Sequence, residues 1–557
     1  MQNASETIRF SLRTQILGIL LAAMGAIGSM PSPSQAGEVR AEIGQGTLLG
    51  STEEGVRRFL GVPFAAPPIG PLRFRAPGEP RAWKGVRAAR SFPPVCPQAK
   101  VGAGPLEVVG DEDCLHLNVY APDVAGANLP VLVWIHGGGR RVGDARRDVS
   151  AFVRETQSIV VSIQYRLSYL AFLAHPALTA EDPARLASGN YGFEDAVAAL
   201  RWVRSEIAAF GGDPRRVTIA GLSGGGTMVC GLLVSPRAAG LFHGAIVQSG
   251  GGCWFPTEAI ELAEARGRKA AEALGCSEQP DVAACLRAQP VAALFEKLGR
   301  DVDNPFVPGS AEYFAALPIR GGSTGHLVDG HVFARSWPQA FHAGAFHQVP
   351  VMIGVTEHEG RRIYAELLYA MGWQSFGEED YVRALYGLTG SLEIAEAAAR
   401  RFPLDAADGS PAESFADVAT HAHYTCPHAE LAREIAPFVP TWLYEFRVAG
   451  PRKSEHVELG AYHGADTDIL FGASSTGPPY QLGSAQQHAA ETLRGYVANF
   501  LKSGDPNGSG LPRWPQHSEK TRAQHLEFDD EPGPARGLRE TACQFWRERS
   551  WDALPGF

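Results

Sequence analysis

Six short apolar runs recur along the chain: "PVLVWIH", "SIVVSIQY", "RVTIAGLS", "GAIVQSG", "VPVMIGVT" and "PTWLYEF". Each is β-rich and bounded by Gly, Pro or polar residues, the pattern of strands buried on both faces. Between them the apolar period lengthens. In "YGFEDAVAALRWVRSEIAAF", Phe193, Val197, Leu200 and Val203 recur at helical spacing, and the following "GGDP" predicts the stop. Strands alternating with helices predict an α/β fold: a mostly parallel central sheet with helices on both faces. No internal repeat or linker interrupts the pattern after residue 37, so residues 37–557 read as one large domain. Long insertions are expected at residues 255–345 and 361–435.

The N-terminus breaks the pattern. Arg9 and Arg13 precede "ILGILLAAMGAIG", and "SMPSPSQAGE" follows with small residues at Ser34 and Ala36, the layout of a secretory signal peptide over residues 1–36. The run falls short of the roughly 20 apolar residues of a membrane span and carries Gly18, Gly25 and Gly28. No later segment is long and apolar enough to span a bilayer. A secreted or periplasmic protein without stable membrane insertion is expected once the leader is removed.

Composition narrows the function classes. The chain has 50 basic and 60 acidic residues, and nothing in that balance points to nucleic acid or an anionic membrane. Export makes disulfides possible for the eight cysteines, all in the mature region. Cys96 with Cys114, and Cys276 with Cys285, bracket short loops like local staples. Cys426 and Cys543 are placed to tie the C-terminal segment back to the body, which leaves Cys230 and Cys253 over. No Cys or His cluster has zinc-ligand spacing, so neither a metal nor another cofactor is expected.

The candidate chemistry begins at "VTIAGLSGGG", where a strand runs into G-x-S-x-G at Gly221, Ser223 and Gly225 and the following "TMVCGLLV" can continue as a helix. A strained strand-to-helix turn that exposes a nucleophilic serine needs those glycines. "GGSTG", with Ser323, matches the same expression but leads into polar, turn-like "HLVDGH"; context selects Ser223. A serine hydroxyl needs a base held by a third group, in the order Ser, acid, His for this layout. "GVTEHEG" offers Glu357 and Glu359, and "GAYHGAD" offers His463 in a glycine-flanked loop. Spacing alone neither chooses between the glutamates nor excludes His421, His423 or His456. Donors for a developing oxyanion are expected from "HGGG" at the end of "VLVWI" and from the residue after the serine, that is Gly138, Gly139 and Gly224.

With these motifs in place the chain resembles the type-B carboxylesterase and cholinesterase-like family of α/β hydrolases. "FLGVPFAAPPIGPLRFRAP", "EDCLHLNVYAP", "WIHGGG", the segment from "SGNYGFEDAV" to "GLSGGG", "GHLVDG", "VTEHEG", "YHGAD", "SGDPN" and "CQFW" occur in family order. The resemblance implies an α/β-hydrolase fold and a serine esterase acting on small-molecule esters, with Ser223 as nucleophile, Glu359 as acid and His463 as base. It implies Gly138, Gly139 and Gly224 as oxyanion donors. It also implies bridges Cys96–Cys114, Cys276–Cys285 and Cys426–Cys543.

Departures from the family pattern carry the rest. An acidic residue usually precedes the nucleophile and alanine follows it; here those positions hold Leu222 and Gly224. The loop between Cys96 and Cys114 lacks the aromatic residue with which cholinesterases hold choline. Arg140 stands after "HGGG" where the family commonly has Phe, opening the basic run "RRVGDARR". An esterase preferring carboxylate-bearing esters follows as an expectation, because a guanidinium binds carboxylate bidentately; tricarballylate esters of the fumonisin type fit that chemistry. Pairing of Arg140, Arg141, Arg146 and Arg147 with Asp144, Asp148 or solvent is the competing expectation, leaving a broad-specificity esterase of neutral esters. A non-catalytic, cholinesterase-like binding protein would typically lack part of the triad, and all three residues are present here.

Overall fold

The structure, a computed structural model, describes residues 37–549 apart from 101–105, 125, 127, 184, 255–256, 302–325, 371–376, 405–409, 475–477 and 519–523. The leader expected over residues 1–36 and the serine of "GGSTG", Ser323, lie outside the described residues.

Thirteen strands form one sheet. They are β1 (Gly37–Ile43), β2 (Gly46–Glu53), β3 (Val56–Pro63), β4 (Val86–Ala88), β5 (His116–Pro122), β6 (Leu129–Ile135) and β7 (Ile159–Ile163). Then follow β8 (Gly212–Leu222), β9 (Gly244–Gln248), β10 (Val351–Thr356), β11 (Thr441–Phe446), β12 (Gln524–Phe528) and β13 (Gly533–Arg536). The order is β1-β2-β3-β5-β7-β6-β8-β9-β10-β11-β12-β13, with β4 against β2. All six apolar runs become β6 to β11, and the seven neighbours from β7 to β12 are parallel. The β1-β2-β3-β5-β7 side is antiparallel, as is the β12-β13 edge. The central strands lack alternation because both faces are covered.

Helix α1 (Tyr191–Glu206) buries Phe193, Val197, Leu200 and Val203. It passes into a short 3-10 turn and stops at Gly211, with φ 89°. Helix α2 (Gly224–Val234) leaves β8 directly and packs so closely on α1 that a Cβ at Gly231 would lie 2.4 Å from the Phe193 ring. The other face of the sheet is closed by α3 (Ala465–Phe471) and α4 (Ser484–Ser503), whose Leu470, Leu493 and Val497 meet Leu132, Trp134, Ile246 and Met352. The insertions expected after residues 255 and 361 carry mostly helices in their described parts.

All three implied disulfides are present. Cys230 and Cys253, left over on the sequence reading, form a fourth. Sequence spacing missed it because the pairing is tertiary. α2 runs back beside the parallel neighbour β9, and the turn after β9 crosses it so tightly that a Cβ at Gly226 would lie 2.9 Å from the Gly250 Cα. No described helix is long and apolar enough to cross a membrane.

Candidate active site

Ser223 occupies the one-residue turn between β8 and α2, with φ 57° and ψ −122°. That left-handed backbone is strained for any residue but glycine, and the surroundings hold it. The Ser223 N–H donates to Gln248 O at 2.8 Å, and its carbonyl accepts from Thr227 N–H at 2.9 Å. The flanking glycines are sterically required. A Cβ at Gly221 would fall 2.4 Å from Gly225 backbone, and one at Gly225 would fall 2.1 Å from Ile135 O.

Glu359 follows β10 and is fully buried. Its Oε1 accepts from Thr356 N–H at 2.8 Å and from Ser249 Oγ at 2.6 Å; its Oε2 lies 2.5 Å from His463 Nδ1. A carboxylate held on Nδ1–H leaves Nε2 as the basic nitrogen. Nε2 is buried and has no hydrogen-bond partner among the described residues. His463 is carried on the loop before α3, where His358 N–H donates to Ala461 O and Arg362 Nη1 donates to His463 O at 3.1 Å.

The alternatives left open by spacing separate here. Glu357 turns toward Arg539, 3.8 Å away, and burial beside Glu445 raises its pKa. His423 Nδ1 bonds to Tyr364 OH at 2.8 Å, His421 packs on Phe402, and His456 stacks on Tyr369. Among the described residues, His463 is the histidine bonded to a buried carboxylate that also accepts from Ser249. Ser249 and His428 had no local motif to mark them. His428 Nε2 accepts from Gly250 N–H at 2.8 Å while burial presses its pKa down to about 4, so it holds the turn as a neutral ring.

The glycine run after β6 forms a tight turn. Arg141 and Val142 N–H both donate to Gly138 O at 3.1 Å, and Gly138, Gly139 and Arg140 all have positive φ, of 107°, 61° and 60°. The turn faces Gly224, where a Cβ would lie 2.8 Å from Arg140 N and 3.0 Å from Gly139 N. The backbone nitrogens of Gly139 and Arg140 therefore lie close to Gly224, next to the serine. The Cys96–Cys114 loop braces the turn from behind through Gln98, whose amide bonds to both Gly143 N–H and Gly143 O.

The basic run divides. Arg146, partly exposed, pairs with the buried Asp144 at 2.8 Å, and Arg147 reaches the buried Asp468 at 3.1 Å. Arg140 is only 3% exposed; its guanidinium lies over Phe172 at 5.6 Å with Nη1 3.4 Å from His326 Nδ1. Among the described residues no carboxylate lies within salt-bridge distance of it, its Nε lacks a hydrogen bond, and burial lowers its pKa to about 10. A group of three or more metal-ligating side chains is absent among the described residues.

Fold and site together define an α/β hydrolase. The model of the carboxylesterase family matches residues 36–546. The pyrethroid hydrolase Ces2a of Mus musculus is 33% identical over 524 residues, covering 89% of this chain and 87% of its own. Carboxylesterase 3 of Homo sapiens is 33% identical over 574 residues, covering 95% and 93%. Among solved structures, a PNB esterase superposes with a TM-score of 0.75 at 28% identity, covering 91% of this chain and 99% of its own. This chain belongs to the carboxylesterase family and is a carboxylic ester hydrolase.

Proposed function

We propose that the chain is a secreted serine esterase acting through an acyl-enzyme on Ser223, and that its preferred esters carry one or more carboxylates. His463 Nε2 takes the Ser223 proton as Oγ attacks the ester carbonyl, and Glu359 holds the imidazolium that forms. N–H groups of Gly138, Gly139 and Gly224 receive the oxyanion. His463 then protonates the departing alcohol, and the same base activates water to release the acid. Residues 1–36 serve as the leader; four disulfides fit the oxidising compartment this implies.

The observation that carries the preference is Arg140, a buried guanidinium beside the oxyanion turn with no carboxylate partner among the described residues. An isolated buried charge is costly, and a substrate carboxylate would remove that cost in the complex. The test compares kcat/KM for matched anionic and neutral esters in wild type and Arg140→Ala. The preference for the anionic ester should fall by about tenfold or more in the variant. An unchanged ratio would leave the broad-specificity reading for neutral esters. Ser223→Ala should abolish hydrolysis and organophosphate labelling, and full activity in it would remove the acyl-enzyme mechanism.

A further inference from the structure

A second cationic group lies near the serine turn. Asp468, 2% exposed on α3, is the hub of a cluster: its Oδ1 meets Arg147 Nη1 at 3.1 Å, and its Oδ2 meets Arg452 Nε at 2.7 Å, Tyr462 OH at 3.0 Å and Tyr480 OH at 3.2 Å. Arg362 is the third guanidinium here. It lies over the Tyr462 ring at 5.8 Å and donates to His463 O, and no carboxylate is within salt-bridge distance of it among the described residues. One carboxylate thus faces three arginines. Burial and the neighbouring Arg452 both depress the Arg362 pKa, as expected of cations crowded together without enough counter-charge.

Position gives this excess charge a use. A Cβ at Gly464 would lie 3.0 Å from Leu222 Cδ2 and 3.9 Å from Arg362 Nη1, so the guanidinium sits beside the residue preceding Ser223. Leu222, Ser223 and Arg362 all keep solvent exposure, while His463 and Gly464 between them are buried. Arg362 is thus a partly exposed cation next to the segment that carries Ser223. Position 222 offers no acid to neutralise Arg362. The leaving alcohol must lie on the histidine side to receive the proton from Nε2, whereas the acyl oxygen lies toward the glycine turn.

We propose that Arg362, backed by Arg452, forms an anion subsite that binds a carboxylate on the alcohol half of the ester, distinct from Arg140. The subsite rests on the anionic-ester reading above but has its own readout. A guanidinium anchored through Nη1 to a backbone carbonyl keeps its remaining N–H donors for a carboxylate, and that fixed fork is poorly copied by lysine.

The experiment uses two matched pairs of esters with the full mature protein. 4-Acetoxybenzoate against 4-acetoxybenzamide places the charge in the alcohol half; monophenyl succinate against its methyl ester places it in the acyl half. The readout is the anionic-to-neutral ratio of kcat/KM, measured for wild type, Arg362→Met, Arg362→Lys and Arg140→Met. Wild type should prefer 4-acetoxybenzoate, chiefly through KM. Arg362→Met should cut that ratio by about tenfold or more while the succinate ratio holds, with Arg362→Lys intermediate. Arg140→Met should do the reverse. Equal losses on 4-acetoxybenzoate and its amide in both Arg362 variants would show that Arg362 only holds the His463 loop, and would overturn the subsite. So would a wild-type enzyme with no preference for 4-acetoxybenzoate. In either case a succinate ratio lost in Arg140→Met would leave the Arg140 reading standing.

Discussion

Replacing Gly224 by alanine, the residue the family usually has there, should damage this enzyme. The new methyl would sit 2.8 Å from Arg140 N, 3.0 Å from Gly139 N and 3.1 Å from Gly139 Cα. All three are backbone atoms and cannot swing aside. To restore an ordinary contact near 3.4 Å, the turn must withdraw by roughly half an ångström. It is held against that movement by two N–H donors on Gly138 O and by the Gln98 amide on Gly143. The displaced atoms include a proposed oxyanion donor, and loss of one such donor costs about 3 kcal/mol in the transition state, or roughly 100-fold in kcat. Overpacking adds a stability loss of about 1–3 kcal/mol. The assay is kcat on a small neutral p-nitrophenyl ester, with the affinity of a trifluoromethyl ketone as the transition-state probe and thermal melting to confirm folding. Affinity for the ketone should weaken in step with kcat. A folded Gly224→Ala variant with kcat within threefold of wild type would refute the reasoning, because the turn would then have no fixed relation to the serine.

Two further outcomes concern stability. His428 is fully buried, with its folded pKa at about 4 against 6.5 unfolded, so the unfolded chain binds the extra proton between those values. Its contribution is complete above pH 6.5 and is lost as pH falls toward 4, up to about 3 kcal/mol; melts across that window should show a shallower slope in His428→Gln than in wild type, and identical slopes would refute it. Cys230→Ala with Cys253→Ala opens a bridge of sequence separation 23, which should lower stability by about 3 kcal/mol in chemical denaturation. An unchanged midpoint would show that the packing of Gly226 on Gly250 holds the turn without the bridge.

Much of this was legible in the chain because the information is local. The six strands followed from apolar runs, since a strand covered on both faces has no polar side to keep. The helix over Tyr191–Glu206 followed from its period, and the turn at Ser223 from glycines that a Cβ would make impossible. The antiparallel strands β1, β2 and β3 were not anticipated, because they are only partly buried and carry no continuous apolar run, and the fully buried β5 interrupts its apolar residues with His116 and Asn118.

The sequence by itself determined the six central strands, the nucleophile turn and the residue types available for its chemistry, because each depends on neighbours a few positions away. Local spacing left two carboxylates open and the family resemblance implied Glu359; the physical reason is tertiary, since Glu357 and Glu359 are two residues apart, yet the turn after β10 buries one against His463 and sends the other to Arg539. Tertiary structure alone paired Cys230 with Cys253 across two chain segments. It also divided "RRVGDARR" into a partly exposed pair at Arg146, a buried pair at Arg147 and, at Arg140, a buried cation with no carboxylate partner among the described residues. Charge is written in the sequence, but its counter-ion and its dielectric are set by whatever the fold brings within a few ångströms.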